Sequence, residues 1–253
     1  MNIIVCIKQV LTRDWPFQVD AQGTWVREQD ASFEMNEPDS YALEAALRLK
    51  ETHGGEVTVC SMGPARVTQV IREGLARGAD RAIHVVSDDT ARMDAFGVAQ
   101  ALAAAIKFEE ASLVLTGLQS DDHGFAQTGI ILSALLGLPH ATIVMDIEVS
   151  DDTVRVKREL EGGWFQWVAL PMPALLTIQS GINQLRYATL KGIMAAKKKE
   201  IRTIQAVAPG EARQRIVALY PPEKEKQTHF VDGTSSEAAK KLVRLLRDEA
   251  RVL

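Results

Sequence analysis

The chain has 253 residues, 46% of them hydrophobic and 25% charged, with a formal net charge of −4. Those figures describe a globular chain with a sizeable core and supply no basic field for nucleic acid. No apolar run approaches the roughly 20 residues that a membrane-crossing helix needs, so direct membrane insertion is not expected.

Residues 2–7 form a short apolar run that reads as a first strand rather than a cleavable leader, an expectation of a cytoplasmic or mitochondrial-matrix location. Lys8-Gln9-Val10 leaves its carboxyl end. Residues 14–30 are a polar excursion carrying Trp15, Phe17 and Trp25, aromatics that bury beneath a loop or mark an interface. Asn36-Glu37-Pro38-Asp39 turns into a helix that runs through Glu51, with Asp39 suited to cap it. Residues 56–60 read as a second strand, ending in the turn Ser61-Met62-Gly63-Pro64. Val67, Val70, Ile71 and Leu75 mark the next helix, with Gly78 at its end. A strand at 81–86 and an Ala-rich helix at 94–107 follow. Strand and helix alternate throughout, which predicts an α/β fold with a doubly wound parallel sheet.

The next stretch is SLVLTGLQSDDHGFAQTG, residues 112–129. An apolar strand closes at Thr116 and Gly117, a polar loop follows, and a helical pattern starts at Gln127. Backbone N–H groups at such a helix start, with the helix dipole, attract phosphate. Gly117, Gly124 and Gly129 would let a ligand approach the backbone. Ser120, Gln127 and Thr128 offer hydrogen bonds, while Asp121 and Asp122 suit ribose hydroxyls or helix capping. No Gly-Lys-Ser/Thr and no G-x-G-x-x-G is present. A plain strand-to-helix turn that binds nothing fits the same pattern. Strand ends at 6–9, 61–64 and 117–128 all lie at the carboxyl edge, where ligands of such sheets bind, and this convergence favours a nucleotide.

Beyond it the pattern changes. Residues 141–148, 153–159 and 165–170 read as closely spaced antiparallel strands added to the sheet, and 174–178 as a further strand. Residues 183–199, NQLRYATLKGIMAAKKK, fit a helix with a solvated basic end, or a protruding contact loop with an apolar tip and lysines that steer acidic surfaces. From 206 to 233 the chain is polar, with a strand-like piece at 215–220 and Pro221-Pro222 as a linker. A capping box, Thr234-Ser235-Ser236-Glu237, opens a C-terminal helix striped by Ala239, Leu242, Leu245 and Leu246. That helix would form an arm docking on this chain or on a partner. The domain expectation is therefore 1–205 for the nucleotide-binding domain, including a contact loop at 178–200, and 206–253 for linker and arm.

Reaction machinery is hard to find. Cys6 and Cys60 lie in strand patterns as buried free thiols. The 5 histidines have no metal-ligand spacing, so no metal is expected. His84 reads as a core residue and His123 as a hydrogen-bonding member of the loop. A nucleotide fold without reaction machinery suggests a binding or cofactor-holding subunit rather than an enzyme.

Four stretches together resemble the β subunit of electron transfer flavoprotein. They are Cys6-Ile7-Lys8-Gln9-Val10, residues 36–51, the loop 117–129, and Arg186-Tyr187-Ala188-Thr189-Leu190 with Gly192-Ile193-Met194 and Lys197-Lys198-Lys199. The resemblance implies a Rossmann-like, adenine nucleotide α-hydrolase-like domain that binds AMP structurally. An α subunit would hold the redox-active FAD, which this chain helps to cover. AMP contacts would fall on Cys6, Asn36, Glu37, Pro38, Asp39, Met62, Gly117, Leu118, Gln119, Ser120, Asp121, Asp122, His123, Gly124, Phe125, Ala126, Gln127 and Thr128. Arg186, Tyr187, Leu190, Ile193 and Met194 would dock acyl-CoA dehydrogenases or other flavin dehydrogenases, with Leu190 as anchor. Electrons would pass on to a membrane quinone oxidoreductase, as in fatty acid oxidation. Trp15 or Phe17 would face the flavin.

The chain departs from the family pattern. Asn36-Glu37-Pro38 stands where relatives have Asn-Pro. Gln184-Leu185 replaces Glu-Pro, and Lys191 replaces a proline, which leaves the contact loop less stiff. Relatives that bind a second FAD and bifurcate electrons from NADH carry Asp-Gly-Asp-Thr-Ala-Gln-Val-Gly in the loop. Phe125 and Thr128 favour the AMP type. A stand-alone nucleotide-binding domain is the remaining alternative.

Overall fold

Alternation along the first strand sets the centre of the molecule. In β1 (Asn2–Cys6), Ile3 and Val5 join one apolar cluster and Ile4 and Cys6 join another, so the strand is buried on both faces. The computed structural model describes residues 1–16, 18–29, 31–88, 90, 93–207, 210–221, 228 and 230–253. The chain divides into Met1–Leu219 and Tyr220–Leu253.

In the first unit β4 (Glu56–Gly63), β5 (Arg81–Val86), β6 (Leu113–Gly117), β10 (Ala174–Ile178) and β11 (Ile201–Gln205) run parallel with β1. β7 (His140–Ser150) pairs parallel with β10 and antiparallel with β8 (Thr153–Glu159), which pairs antiparallel with β9 (Phe165–Pro171). The 9-stranded order is β11-β5-β4-β1-β6-β10-β7-β8-β9. Helices α1 (Glu37–His53) and α2 (Thr68–Arg77) bury Leu43, Ile71 and Leu75 in one cluster. On the other face α3 (Ala95–Ile106) and α4 (Thr128–Leu136) bury Ala99, Leu102 and Leu132. The sheet is thus doubly wound, as the alternation predicts, with the expected antiparallel extension at one end.

Several local expectations change. Asp39 does not cap α1: Asn36 holds the N-cap position and Asp39 lies inside the first turn, because its carboxylate is drawn to the sheet edge. β4 continues through Ser61, Met62 and Gly63, which pair with His84, Val85 and Val86, so the expected turn begins later, at Pro64. Residues 215–220 form no strand. The piece that joins the sheet is β11, which takes the open edge of β5. The excursion holds a small antiparallel ribbon of β2 (Gln9–Leu11) and β3 (Phe33–Met35). Phe17 and Pro222 lie outside the described residues.

A short helix, α5 (Leu190–Ala196), follows residues 179–189. In the second unit, α6 (Ser235–Asp248) starts at the capping box expected: Glu237 N–H donates to Thr234 Oγ1 (3.4 Å), and Thr234 N–H donates to Glu237 Oε2 (2.9 Å). Among the described residues no helix is long and apolar enough to cross a membrane.

Candidate functional site

The chain leaves β1 for β4 and β5 on one side, then returns to place β6 on the other side of β1. The carboxyl ends of β1 and β6 therefore flank the crevice where doubly wound sheets bind ligands. Cys6, Lys8 and the loop after Gly117 meet there, with Asn36 and Asp39 brought in by the start of α1.

Asp39 bridges the two strand ends. Its Oδ2 accepts the N–H of Lys8 (2.7 Å) and its Oδ1 the N–H of Gly117 (2.9 Å). Burial pushes its pKa up to about 7 against these hydrogen bonds and the nearby Lys8 charge. Asn36 ties the loop from the same turn: Oδ1 accepts from Asp121 N–H (2.9 Å), and Nδ2 donates to the Gln119 carbonyl (3.0 Å). A Cβ on Gly117 would lie 2.3 Å from Asp39 Oδ1, and one on Gly129 2.7 Å from Thr116 Oγ1. These two glycines make room for protein atoms rather than for a ligand. Gly124 differs: its φ is +63° and nothing lies within 4 Å. Ala126 is left-handed too, at φ 54°, a conformation costing a side-chain-bearing residue roughly 1–2 kcal/mol. Such strain collects at ligand sites.

The loop interior is ionic and aromatic. The Lys8 ammonium donates to Asp122 Oδ1 (2.6 Å) and Ser120 Oγ (3.3 Å) and lies 3.4 Å from His123 Nδ1. Arg13 pairs with Glu37 and reaches Asp121. Burial opposes the charge of Asp122, but Lys8 and the Ser120 hydroxyl outweigh it and hold the carboxyl below its usual range. Burial, then the Lys8 charge, lowers the His123 pKa, which favours the neutral imidazole. Trp25 meets His123 edge-on at 5.0 Å between ring centroids, and Phe125 stacks on it at 5.4 Å. Among the described residues, His123 Nε2 is buried without a hydrogen-bond partner, and no side chain caps the first turn of α4. A helix start with no side-chain cap fits a phosphate, and an orphan imidazole nitrogen beside two aromatic rings fits a heterocycle with hydrogen-bonding edges. The residues present thus fit an adenine nucleotide.

The fold brings Cys6, residues 36–39, Met62 and the loop 117–128 to one edge. Lys8, Arg13 and Trp25 join this region although the sequence reading left them out. Lys8 was within reach of that reading, since it directly follows a strand whose carboxyl end lines the crevice. Cys6 and Cys60 are buried free thiols, and the neighbouring Cys60 thiol and then burial raise the Cys6 pKa. His84 is a core residue, with Nε2 2.9 Å from the Gly63 carbonyl.

A second region lies on the segment through α5. Tyr187 is 93% exposed and Leu190 83%, with Ile193 and Met194 also exposed. Arg186 turns inward onto Glu44 and Glu51 instead. Lys197 and Lys198 face solvent, whereas the Lys199 ammonium donates to the Leu75 carbonyl (3.1 Å) and to that of Ala79, capping α2. The third region is the outer face of the antiparallel extension. Trp164 is 74% exposed, and Phe165 and Trp167 sit beneath Lys157 and Arg155 at 4.1 and 4.2 Å.

The profile of the electron transfer flavoprotein domain matches residues 24–209. The electron transfer flavoprotein subunit beta of Methylophilus methylotrophus is 37% identical over 261 residues, covering 98% of each chain. Proteins of the same name from Bradyrhizobium diazoefficiens and Bacillus subtilis are 37% and 31% identical, each over 100% of both chains. The mitochondrial subunit beta of Oryza sativa subsp. japonica is 34% identical over the full length of both.

Proposed function

Since this chain belongs to the electron transfer flavoprotein β-subunit family, we propose that it is the nucleotide-holding half of a heterodimeric electron carrier. It pairs with an α-type subunit that carries FAD, and helps to cover that flavin. It binds AMP at the carboxyl edge of its own sheet. Its exposed segment around Leu190 meets acyl-CoA or other flavin dehydrogenases, and electrons pass from the flavin to a membrane quinone oxidoreductase. The chain itself is a carrier subunit, not an enzyme.

The observation that carries the nucleotide assignment is the loop at the β1–β6 crevice, which holds the Lys8 ammonium, contains the orphan His123 Nε2 and ends at the uncapped start of α4. Lys8 balances phosphate charge while Asp122 keeps the ammonium in place. The α4 backbone N–H groups receive the phosphate oxygens. Neutral His123 hydrogen-bonds the ligand without adding charge, and Trp25 and Phe125 screen it from water. The partner's FAD, when bound, supplies the electron-transfer chemistry through its isoalloxazine ring. The exposed aromatic face around Trp164 supports an obligate partner, because monomeric proteins rarely leave such patches open.

The test is to co-purify the chain with its α-type subunit, denature the pair, and quantify what is released. One FAD and one AMP per pair are expected. Two FAD and no AMP would move the chain to the NADH-linked bifurcating type, and a nucleotide-free chain that never pairs would overturn the proposal. Lys8→Gln should lower retained AMP about tenfold or more, the effect of losing a charge-assisted hydrogen bond worth roughly 1.5–3 kcal/mol.

A further inference from the structure

Resting on the reading of residues 183–196 as the docking segment, we propose that Arg186 is a positioning residue, clamped by Glu44 and Glu51 so that Tyr187 and Leu190 are presented in a fixed geometry. The guanidinium spends its donors inside the chain. Nε donates to Glu44 Oε2 (2.7 Å), Nη1 to Glu51 Oε1 (2.6 Å), and Nη2 to Glu44 Oε1 (3.2 Å) and Glu51 Oε2 (3.1 Å). The Arg186 N–H adds a bond to Glu44 Oε2 (3.3 Å). Both carboxylates belong to α1, about two turns apart on the same face.

Neighbouring bonds hold the same stretch to the same helix. Arg48 Nε donates to Glu44 Oε1 (2.7 Å) and Arg48 Nη2 to the Gln184 carbonyl (2.8 Å), while Asn183 Nδ2 donates to the Tyr41 carbonyl (3.1 Å). The Glu44 side chain is only 4% exposed. A carboxylate that deeply placed must keep its cations, since removing one leaves a poorly compensated buried charge.

Packing on α2 seats α5 itself, where Gly192 lies against the Ala76 carbonyl; residues 183–189 ahead of it are in neither helix nor strand. The segment spans an open cavity of about 620 Å³ lined by Glu44, Arg48, Ala76, Arg186, Tyr187 and Thr189. It contains no regular structure before α5, and no proline stiffens it. The ion pairs tie residues 183–189 to α1. A loop fixed before encounter escapes the entropy cost of being ordered on binding. Arg186 therefore contributes to docking through Tyr187 and Leu190, without touching the partner.

The experiment uses the heterodimer and an acyl-CoA dehydrogenase kept reduced by its acyl-CoA. In Arg186→Gln, backbone amides of 184–189 should exchange hydrogen about tenfold faster, and KM for the dehydrogenase should rise about tenfold with kcat unchanged. Arg186→Lys should show a smaller rise, since a point charge cannot span both carboxylates. FAD and AMP content should stay as in the parent. Unchanged exchange or unchanged KM in both variants overturns the proposal, as does a KM rise that merely tracks lost cofactor. If Arg186→Gln fails to assemble, Arg186→Lys and Glu51→Gln carry the same two readouts. Leu190→Ala separates the layers. A normal KM there overturns the docking reading and this proposal with it. A raised KM there, with Arg186→Gln normal, overturns this proposal alone.

Discussion

Asp39 sits where burial and hydrogen bonding compete, and burial prevails. Its carboxyl titrates near 7 in the fold, against about 3.9 in an unfolded chain. Between those values the folded state binds the proton more tightly. The contribution of this one carboxyl to stability is therefore full below about pH 4 and is lost as pH rises through about 7, by up to roughly 4 kcal/mol, opposite in sign to that of carboxyls such as Asp122 and Glu44, whose pKa values are lowered. Asp39→Asn removes the titration, so chemical denaturation from pH 4 to 8 should show a flatter profile, even though the amide starts less stable by losing an acceptor for one of two backbone N–H groups. An unaltered slope would assign the pH dependence elsewhere. Gly117→Ala should cost about 3 kcal/mol or more, because its Cβ would land on Asp39 and Pro38. Gly117 was legible as a place that tolerates no side chain, but the neighbour it yields to was not. Asn-Glu-Pro-Asp looks like a capping turn, and nothing local to it reveals that Asp39 reaches across to two strand ends.

At the scale of elements, α1 carries the most. Its first turn ties the loop 117–129 through Asn36 and Asp39, and its carboxylates Glu44 and Glu51 pair with Arg186. On the next helix, α5 lies so close to α2 that a Cβ on Gly192 would come within 2.3 Å of the Ala76 carbonyl oxygen. Gly192→Ala should push α5 outward at a cost of about 1–3 kcal/mol, seen as a lowered denaturation midpoint and faster amide exchange in residues 190–196. Strands 81–86 and 174–178 were legible in full, since apolar runs bounded by turns have few alternatives. β11 was not: Ile-Arg-Thr-Ile-Gln follows a lysine run, and its partner strand β5 lies far back in the chain. β11 thereby becomes the terminal strand on that side, and residues 215–220 form no strand beside it. The segment 183–199 was legible as exposed and apolar, but the ion pairs of Arg186 with Glu44 and Glu51 were not, since no local pattern connects these residues.

At the scale of the molecule, strand–helix alternation reveals the doubly wound sheet because a parallel sheet needs a crossover between successive strands. The crevice then follows from strand order rather than from any motif, so its location was legible while its ionic lining was not. The opposite end of the sheet has a different consequence. β9 is a terminal strand, with Trp164, Phe165 and Trp167 open along it. Unmatched strand borders invite pairing with any other chain that offers one. Made without its companion, the polypeptide should self-associate as concentration rises, visible by light scattering, and Trp164→Ser with Trp167→Ser should delay the onset. On the proposed pairing, synthesis of the two chains would have to be kept in step, for a surplus of this one would be a hazard to itself.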